Sequence, residues 1–213
     1  HPADEWSDWD VIVLCVDPEP YLMGQAWLEA IAPVWLTFVE PTAVGSLTER
    51  RVLFEGGVDV DFVFISTTLS RHMAQDGFPE DVKGVVRHGL KVLLDKDDLT
   101  PAWQAIDNES APVWKMPTEA QFNELVHDFL YHAVWVTKKW RRGELWMVKW
   151  CLDGSMKQQL LLMIHWHTRA TQSWRRNVWH QGRFLEEWAD ERVVEELRTA
   201  FARYDYNEIP AAL

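Results

Sequence analysis

The spacing of apolar residues differs between the two halves of the chain, and this difference most constrains the fold. In the first half, short runs rich in β-branched residues, such as 10–16 and 58–65, end at turn signals, a pattern typical of strands. After Pro117 the apolar residues recur at helical spacing. A proline-interrupted polar stretch between the halves indicates a domain boundary. The sequence therefore predicts an α+β protein, with a sheet domain over 1–112 and an α-helical bundle domain over 113–213.

Local patterns predict individual elements within these domains. The glycines at 56 and 57 mark a hairpin turn before the 58–65 strand. Apolar residues on one face predict a helix over 21–32. Thr118 and Gln121 have the spacing of a capping box, which begins a long helix. Apolar stripes predict two further helices, over 144–168 and 190–204.

Charge and hydropathy limit the classes of function. The chain of 213 residues has 21 Lys and Arg against 33 Asp and Glu, a net charge of −12, which argues against binding to nucleic acid or to an anionic membrane. The acidic excess lies in the first 110 residues, where it suits metal ions and cationic partners. No apolar run approaches the ~20 residues of a membrane helix. Two cysteines far apart in sequence make a poor disulfide framework, so we expect a cytoplasmic protein.

Two Asp-x-Asp pairs are the strongest chemical signal in the sequence. Asp8 and Asp10 open the first strand, and Asp59 and Asp61 lie on the strand after the hairpin turn. Residues i and i+2 of a strand point to the same face, so neighbouring strands would bring three carboxylates together. Such oxygen ligands on a rigid support are typical of Mg²⁺ sites that also take substrate phosphates. The alternative is that these acids are solvated residues at strand ends.

Several segments, in the same order along the chain, resemble the aminoglycoside 6-adenylyltransferases, the streptomycin adenylyltransferase family. The similarity runs from about Ser7 to Tyr204 and is carried by segments 53–62 and 90–97 and by Asp128, Phe129, Lys138, Arg142 and Glu144. The resemblance implies a nucleotidyltransferase domain of the DNA polymerase β type, followed by a helical substrate-binding domain. It also implies the transfer of AMP from ATP to a hydroxyl of an aminoglycoside such as streptomycin, which would confer resistance.

The resemblance also implies site residues and cofactors. Asp8 and Asp10 match the paired metal ligands of the family, and Asp61 matches its third carboxylate, with ATP and Mg²⁺ as the expected cofactors. Asp59 is then an accessory acid or a plain surface residue. The Gly-Ser motif of the family lies upstream of the Asp-x-Asp pair, and no such motif precedes Asp8 in a chain that begins at His1. We expect preceding residues of the native protein to contain it; the alternative is a degenerate protein that binds nucleotide or a partner without turnover.

A basic cluster between residues 138 and 157 is the candidate phosphate-binding region. Lys138 and Arg142 lie four residues apart, on one helical face, and match charged positions of the family, so we expect them to contact the nucleotide phosphates. The alternative is a solvated helix end, because cations favour helix C-termini. We prefer that alternative for Lys139 and Arg141.

Three acids of the helical half are candidates for binding the acceptor. Carboxylates attract the ammonium groups of an aminoglycoside, and one of them is also expected to deprotonate the attacking hydroxyl. Glu144, which keeps its family register, is the first choice for this base, and Asp153 and Asp128 are the others. Another small-molecule hydroxyl or a protein side chain is the alternative acceptor.

Overall fold

The protein divides into two compact units, His1–Ser110 and Ala111–Leu213. The structure, a computed structural model, describes residues 4–43, 46–107, 114–178 and 180–213. The predicted boundary after residue 112 lies outside the described residues. The first unit contains the sheet and the second is helical, which confirms the predicted α+β class.

Within the described residues, the first unit has a mixed four-stranded sheet. Its strands are β1 (Trp9–Cys15), β2 (Val34–Pro41), β3 (Thr48–Phe54) and β4 (Val58–Ser66). Their order across the sheet is β1-β4-β3-β2, with β1 parallel to β4 and the other two pairs antiparallel. Gly56 and Gly57 connect β3 to β4 with φ values of 85° and 80°, a left-handed conformation that glycine adopts at little cost. The predicted hairpin is therefore confirmed.

The two faces of the sheet pack against separate cores. Val60, Phe62 and Phe64, which alternate along β4, are buried on one face, whereas Val58 is half exposed. The first core is completed by Leu28, Val52 and Phe54. The second core consists of Ile65, Val82, Val86, Trp103 and Ile106. It involves three helices that the sequence analysis did not predict, α2 (Thr67–Asp76), α3 (Glu80–Val86) and α4 (Thr100–Asp107), which follow the short helix α1 (Glu19–Met23) in chain order.

The helix predicted over 21–32 is wrong. Helix α1 ends at Met23, and Gly24 has an extended backbone with φ −93° and ψ 149°. The indole N–H of Trp27 donates to the carbonyl oxygens of Tyr21 and Gly24, so this side chain satisfies backbone groups that a continued helix would have used. Only a single 3₁₀ turn, Leu28–Ala30, follows.

The second unit is built on two long helical segments. Helix α5 (Glu119–Arg141) begins with the predicted capping box, in which Thr118 and Gln121 cap each other's backbone N–H groups. The predicted 144–168 helix is confirmed as α6 (Leu145–Trp150) and α7 (Met156–Thr171), joined by a π-helical turn over Cys151–Ser155. Their shared core consists of Val136, Val148, Cys151, Leu152, Met156 and Ile209.

The rest of the second unit consists of short helices. These are α8 (Leu185–Trp188), α9 (Glu191–Leu197) and α10 (Ile209–Ala212). The helix predicted over 190–204 begins at the expected place but ends at Leu197. After it, the backbone N–H groups of Arg198, Thr199 and Ala200 bond to carbonyls three residues back, which tightens and ends the helix. No helix in the described ranges is both long and apolar enough to cross a membrane.

Candidate active site

Two of the predicted acidic residues meet on the parallel strand pair. Asp10 of β1 lies in register with Asp61 of β4, and neighbouring strands are ~4.8 Å apart. The condition set from the sequence, that the strands carrying the two Asp-x-Asp pairs are neighbours, is confirmed. Both residues share the sheet face of the second core, since Ile12 and Val63, two residues further along each strand, pack there.

The remaining members of the two pairs are less closely involved. Asp8 lies just before the first residue of β1 and is exposed. Asp59 is exposed on β4, opposite Leu53 of β3. Among the residues that the structure describes, no three His, Cys, Asp or Glu side chains are grouped closely enough to hold a metal ion. The structure thus brings Asp10 and Asp61 together, whereas the three-carboxylate site with Asp8 stays a prediction.

Asp61 is buried and only partly satisfied. Its exposed fraction is 4%, its Oδ2 lies 3.1 Å from Nη2 of Arg51, and its Oδ1 is buried with no hydrogen-bond partner in the described part of the chain. Burial raises the pKa of Asp61 to about 6; Arg51 opposes this shift, and the nearby carboxylates, Asp10 among them, add to it. A buried acceptor without a partner is rare and costly. A hard cation such as Mg²⁺ prefers carboxylate oxygens, so it fits the buried Oδ1 of Asp61.

Arg51 belongs to the candidate site through its contact with Asp61, and the sequence analysis missed it. Besides Asp61, its guanidinium contacts Glu40, with Nε 2.7 Å from Oε1, and Glu49, with Nε 3.2 Å from Oε1. The hairpin contained the signal, because Phe54 pairs with Val58 across the turn, and counting three residues away from the turn on each strand places Arg51 opposite Asp61. A cation next to a candidate metal ligand could therefore have been predicted.

Glu144 lies between two cations of the helical unit. Its Oε2 is 2.7 Å from Nζ of Lys139, and its Oε1 is 2.5 Å from Nε of Arg142. The hydrogen bond from Lys139 lowers the pKa of Glu144, and Arg142 adds to the effect. Glu144 is thus ionised over the physiological range and is held by both of its oxygens.

The two predicted phosphate contacts have different surroundings. Lys138 is exposed near the end of α5. Arg142 follows the last residue of that helix, with 72% of its side chain exposed, and pairs with Glu144. Lys139 pairs with Glu144 and lies over the ring of Trp135, 5.3 Å from its centroid, so it is ion-paired and only partly exposed rather than the solvated residue of a helix end that was expected.

The other two predicted acids have separate partners. Asp128 pairs with Nδ1 of His132 at 3.1 Å and accepts a hydrogen bond from Gln159 of α7. It borders an open groove of about 1350 Å³. Asp153, in the π-helical turn, pairs with Lys149 at 2.6 Å. The contacts described for residues 114–178 do not join Asp128, Glu144 and Asp153 into one cluster.

Comparison with known proteins identifies the family. The sequence model of the family described as streptomycin adenylyltransferase matches residues 1–213. The chain belongs to this family. Membership confirms the resemblance found in the sequence and the predicted class of enzyme, an adenylyltransferase.

Two known proteins are similar to this chain along most of its length. The aminoglycoside 6-adenylyltransferase of Bacillus subtilis strain 168 is 24% identical over 214 residues, which cover 98% of this chain and 72% of that protein. A crystal structure of an aminoglycoside 6-adenyltransferase from Bacillus subtilis aligns with a TM-score of 0.45 and 21% identity, covering 96% of this chain and 74% of that one.

Proposed function

We propose that the protein transfers AMP from ATP to a hydroxyl of an aminoglycoside in the cytoplasm, with streptomycin as the first candidate and antibiotic resistance as the consequence. In a chain of this family, one observation supports the proposal most. Asp10 and Asp61 lie in register on neighbouring strands, and one oxygen of the buried Asp61 lacks a partner within the described residues. A buried carboxylate oxygen without a hydrogen-bond partner is well suited to bind a cation.

The sheet unit supplies the metal ligands. Asp10 and Asp61 would hold Mg²⁺, and Asp8, two residues before Asp10 and exposed, would complete the carboxylate set. When bound, the metal neutralises charge on the triphosphate and makes the attacking hydroxyl more acidic. The packing around Asp61 fixes its carboxylate before substrate arrives, which reduces the reorganisation needed during reaction.

The helical unit supplies the nucleotide contacts. Lys138 and Arg142 would bind the phosphates of ATP, which a guanidinium can contact through two parallel hydrogen bonds. The exposure of both side chains leaves them accessible to a ligand. The ion pair with Glu144 holds Arg142 in place, so less side-chain freedom is lost when a phosphate binds.

The acceptor is proposed to be a polycation. Asp128, Glu144 and Asp153 would each attract an ammonium group of an aminoglycoside, since each carboxylate is partly exposed. Glu144 is the proposed general base. Its lowered pKa makes it a weaker base than an unpaired glutamate but keeps it unprotonated, and therefore able to accept a proton, at neutral pH.

Product analysis tests the proposed reaction. The protein, ATP, Mg²⁺ and a panel of aminoglycosides should release pyrophosphate and yield an acceptor heavier by one AMP in mass spectrometry. Asp10→Asn and Asp61→Asn should reduce turnover by at least about 100-fold, because the metal loses a charged ligand, whereas Asp76→Asn, an exposed acid of α2, should not. ATP binding without pyrophosphate release for any acceptor would contradict the proposal and favour a nucleotide-binding protein.

A further inference from the structure

We propose that Arg51 is a positioning residue for the metal ligand Asp61: it binds Oδ2 of this carboxylate and thereby leaves Oδ1 for the cation. The inference rests on the proposed function, since it concerns the same metal site. Three observations support it: the cross-strand pairing of Arg51 with Asp61, the different partners of the two oxygens of Asp61, and the carboxylates around Arg51.

The register places the two side chains side by side. Arg51 of β3 pairs directly with Asp61 of β4 in the antiparallel ladder, and Asp61 in turn pairs with Asp10 of β1. Across the sheet, the cationic Arg51, the buried Asp61 and the exposed Asp10 therefore lie in one row. Asp61 thus has an arginine on one neighbouring strand and a second candidate ligand on the other.

The two oxygens of Asp61 have different partners. Oδ2 lies 3.1 Å from Nη2 of Arg51, whereas Oδ1 is buried and without a hydrogen-bond partner in the described residues. A carboxylate held through one oxygen has lost most of its rotational freedom about the last side-chain bond. Ligands that a neighbouring residue orients in this way bind metals more tightly than free ones.

The charge around Arg51 explains how a cation can bind beside it. The guanidinium contacts Glu40, Glu49 and Asp61, which lie on β2, β3 and β4. Three carboxylates outweigh one positive charge, so the cluster keeps a negative excess that attracts a metal ion. Glu40 and Glu49 contact Nε of the guanidinium, which leaves Nη2 for Asp61.

Lysine cannot replace this arrangement fully. A guanidinium presents several N–H donors in one plane: Nε donates to Glu49 and lies 2.7 Å from Oε1 of Glu40, while Nη2 contacts Asp61. An ammonium group is a compact point charge on a flexible stem. It can pair with Asp61 but cannot span the same three carboxylates with fixed geometry. Arg51→Lys therefore separates the loss of charge from the loss of orientation.

The test measures binding of Mn²⁺ alone, by the electron paramagnetic resonance signal of the free ion. Asp61→Asn should abolish the tight site. Arg51→Met should weaken Mn²⁺ binding about tenfold or more, and Arg51→Lys should restore part of the affinity. Arg198→Met removes an exposed arginine that pairs with Glu195 and should bind Mn²⁺ as the unmodified protein does.

Two further measurements separate positioning from a general structural effect. Glu40→Gln loosens Arg51 from the exposed side, where 40% of the Glu40 side chain is accessible, and should give a smaller loss of affinity in a folded protein even if Arg51→Met fails to fold. In turnover, Arg51→Lys should raise the Mn²⁺ concentration for half-maximal rate, and excess Mn²⁺ should restore kcat. Damage to the fold would lower kcat at every metal concentration.

The possible results distinguish the two proposals. If Asp61→Asn leaves Mn²⁺ binding unchanged, the metal site of the proposed function is wrong and the role of Arg51 fails with it. If Asp61→Asn abolishes binding but Arg51→Met and Glu40→Gln bind normally, only the positioning role is wrong. If Arg51→Met binds Mn²⁺ more tightly, Arg51 competes with the metal for Asp61, which overturns the inference.

Discussion

The exposed carboxylate of Asp10 lies next to the buried carboxylate of Asp61, because parallel strands β1 and β4 pair the two residues in register. Burial raises the pKa of Asp61 to about 6. At neutral pH the folded protein therefore keeps a charged group in an environment that disfavours charge. Strongly perturbed carboxyl groups of this kind are concentrated at functional sites.

Replacing Asp61 by asparagine should stabilise the protein at neutral pH. Because the folded pKa of about 6 exceeds the ordinary aspartate pKa of 3.8, the folded state binds the proton more tightly, and stability falls as pH rises from about 4 to about 7. Asp61→Asn removes this dependence. In urea unfolding with EDTA, the variant should gain up to about 3 kcal/mol at pH 7 and close to nothing at pH 4.

Asp76→Asn is the control for this titration, because it removes an exposed charge from the same unit. Its effect on the free energy of unfolding should stay within about 0.5 kcal/mol at both pH values. A gain from Asp61→Asn that is the same at pH 4 and pH 7 would contradict the raised pKa.

Alanine at the hairpin glycines should destabilise the first unit through the backbone alone. Gly56 and Gly57 have φ values of 85° and 80°, and a Cβ at either position would meet no atom within 4 Å. Each substitution should cost about 1–2 kcal/mol of unfolding free energy in urea, because an L-residue is strained in this region. Gly84→Ala is the matched comparison, since Gly84 lies within α3 in equally open space, and should stabilise by about 0.5–1 kcal/mol. A gain at 56 or 57 would contradict the turn geometry.

Lys138→Ala should weaken ATP binding about tenfold, the usual effect of losing one hydrogen bond to a charged group. Isothermal titration calorimetry with ATP measures this loss, and aminoglycoside affinity should change less. Arg141→Ala is the control, because Arg141 is also exposed at the end of α5 and has no proposed ligand. Equal losses from both variants would indicate a general electrostatic effect of the helix end.

Glu144→Gln should lower kcat by about 100-fold or more, the usual contribution of a general base. The ion pairs with Lys139 and Arg142 lower the pKa of Glu144, so the acidic limb of the kcat profile should lie below pH 4.5, the ordinary pKa of a glutamate. Loss of an ammonium contact alone would instead raise the acceptor KM. A variant with normal kcat would remove Glu144 from the chemistry.

Local patterns predicted the elements that are strongly periodic. The capping box at Thr118 and the glycines at 56 and 57 specify their structures through neighbouring residues. Strand β2 was missed because its side chains do not alternate between buried and exposed, as a strand at the edge of a sheet need not do. The end of α9 at Leu197 depends on hydrogen bonds that the apolar stripe does not reveal.

The candidate site was only partly readable from the sequence. Spacing alone indicated that Asp10 and Asp61 could converge, but their contact depends on a parallel pairing of strands far apart in the chain, which no local pattern specifies. The partners of Glu144 likewise depend on the turn between α5 and α6, where Gly143 has a φ of 77°. The sequence identified the carboxylates, but their burial and their partners depend on the fold.

The position of β1 at the edge of the sheet couples ligand binding to the folding of the first strand. Since β1 pairs with β4 alone in the described sheet, its other side contributes no ladder hydrogen bonds. A cation shared by Asp10 and Asp61 would act as a removable cross-link between segments about 50 residues apart, closing a long loop of chain. At 100 times its Kd, such an ion stabilises the folded state by about 2.7 kcal/mol. Amide hydrogen exchange in β1 should slow accordingly, because the bound metal would then stabilise the strand that carries Asp10.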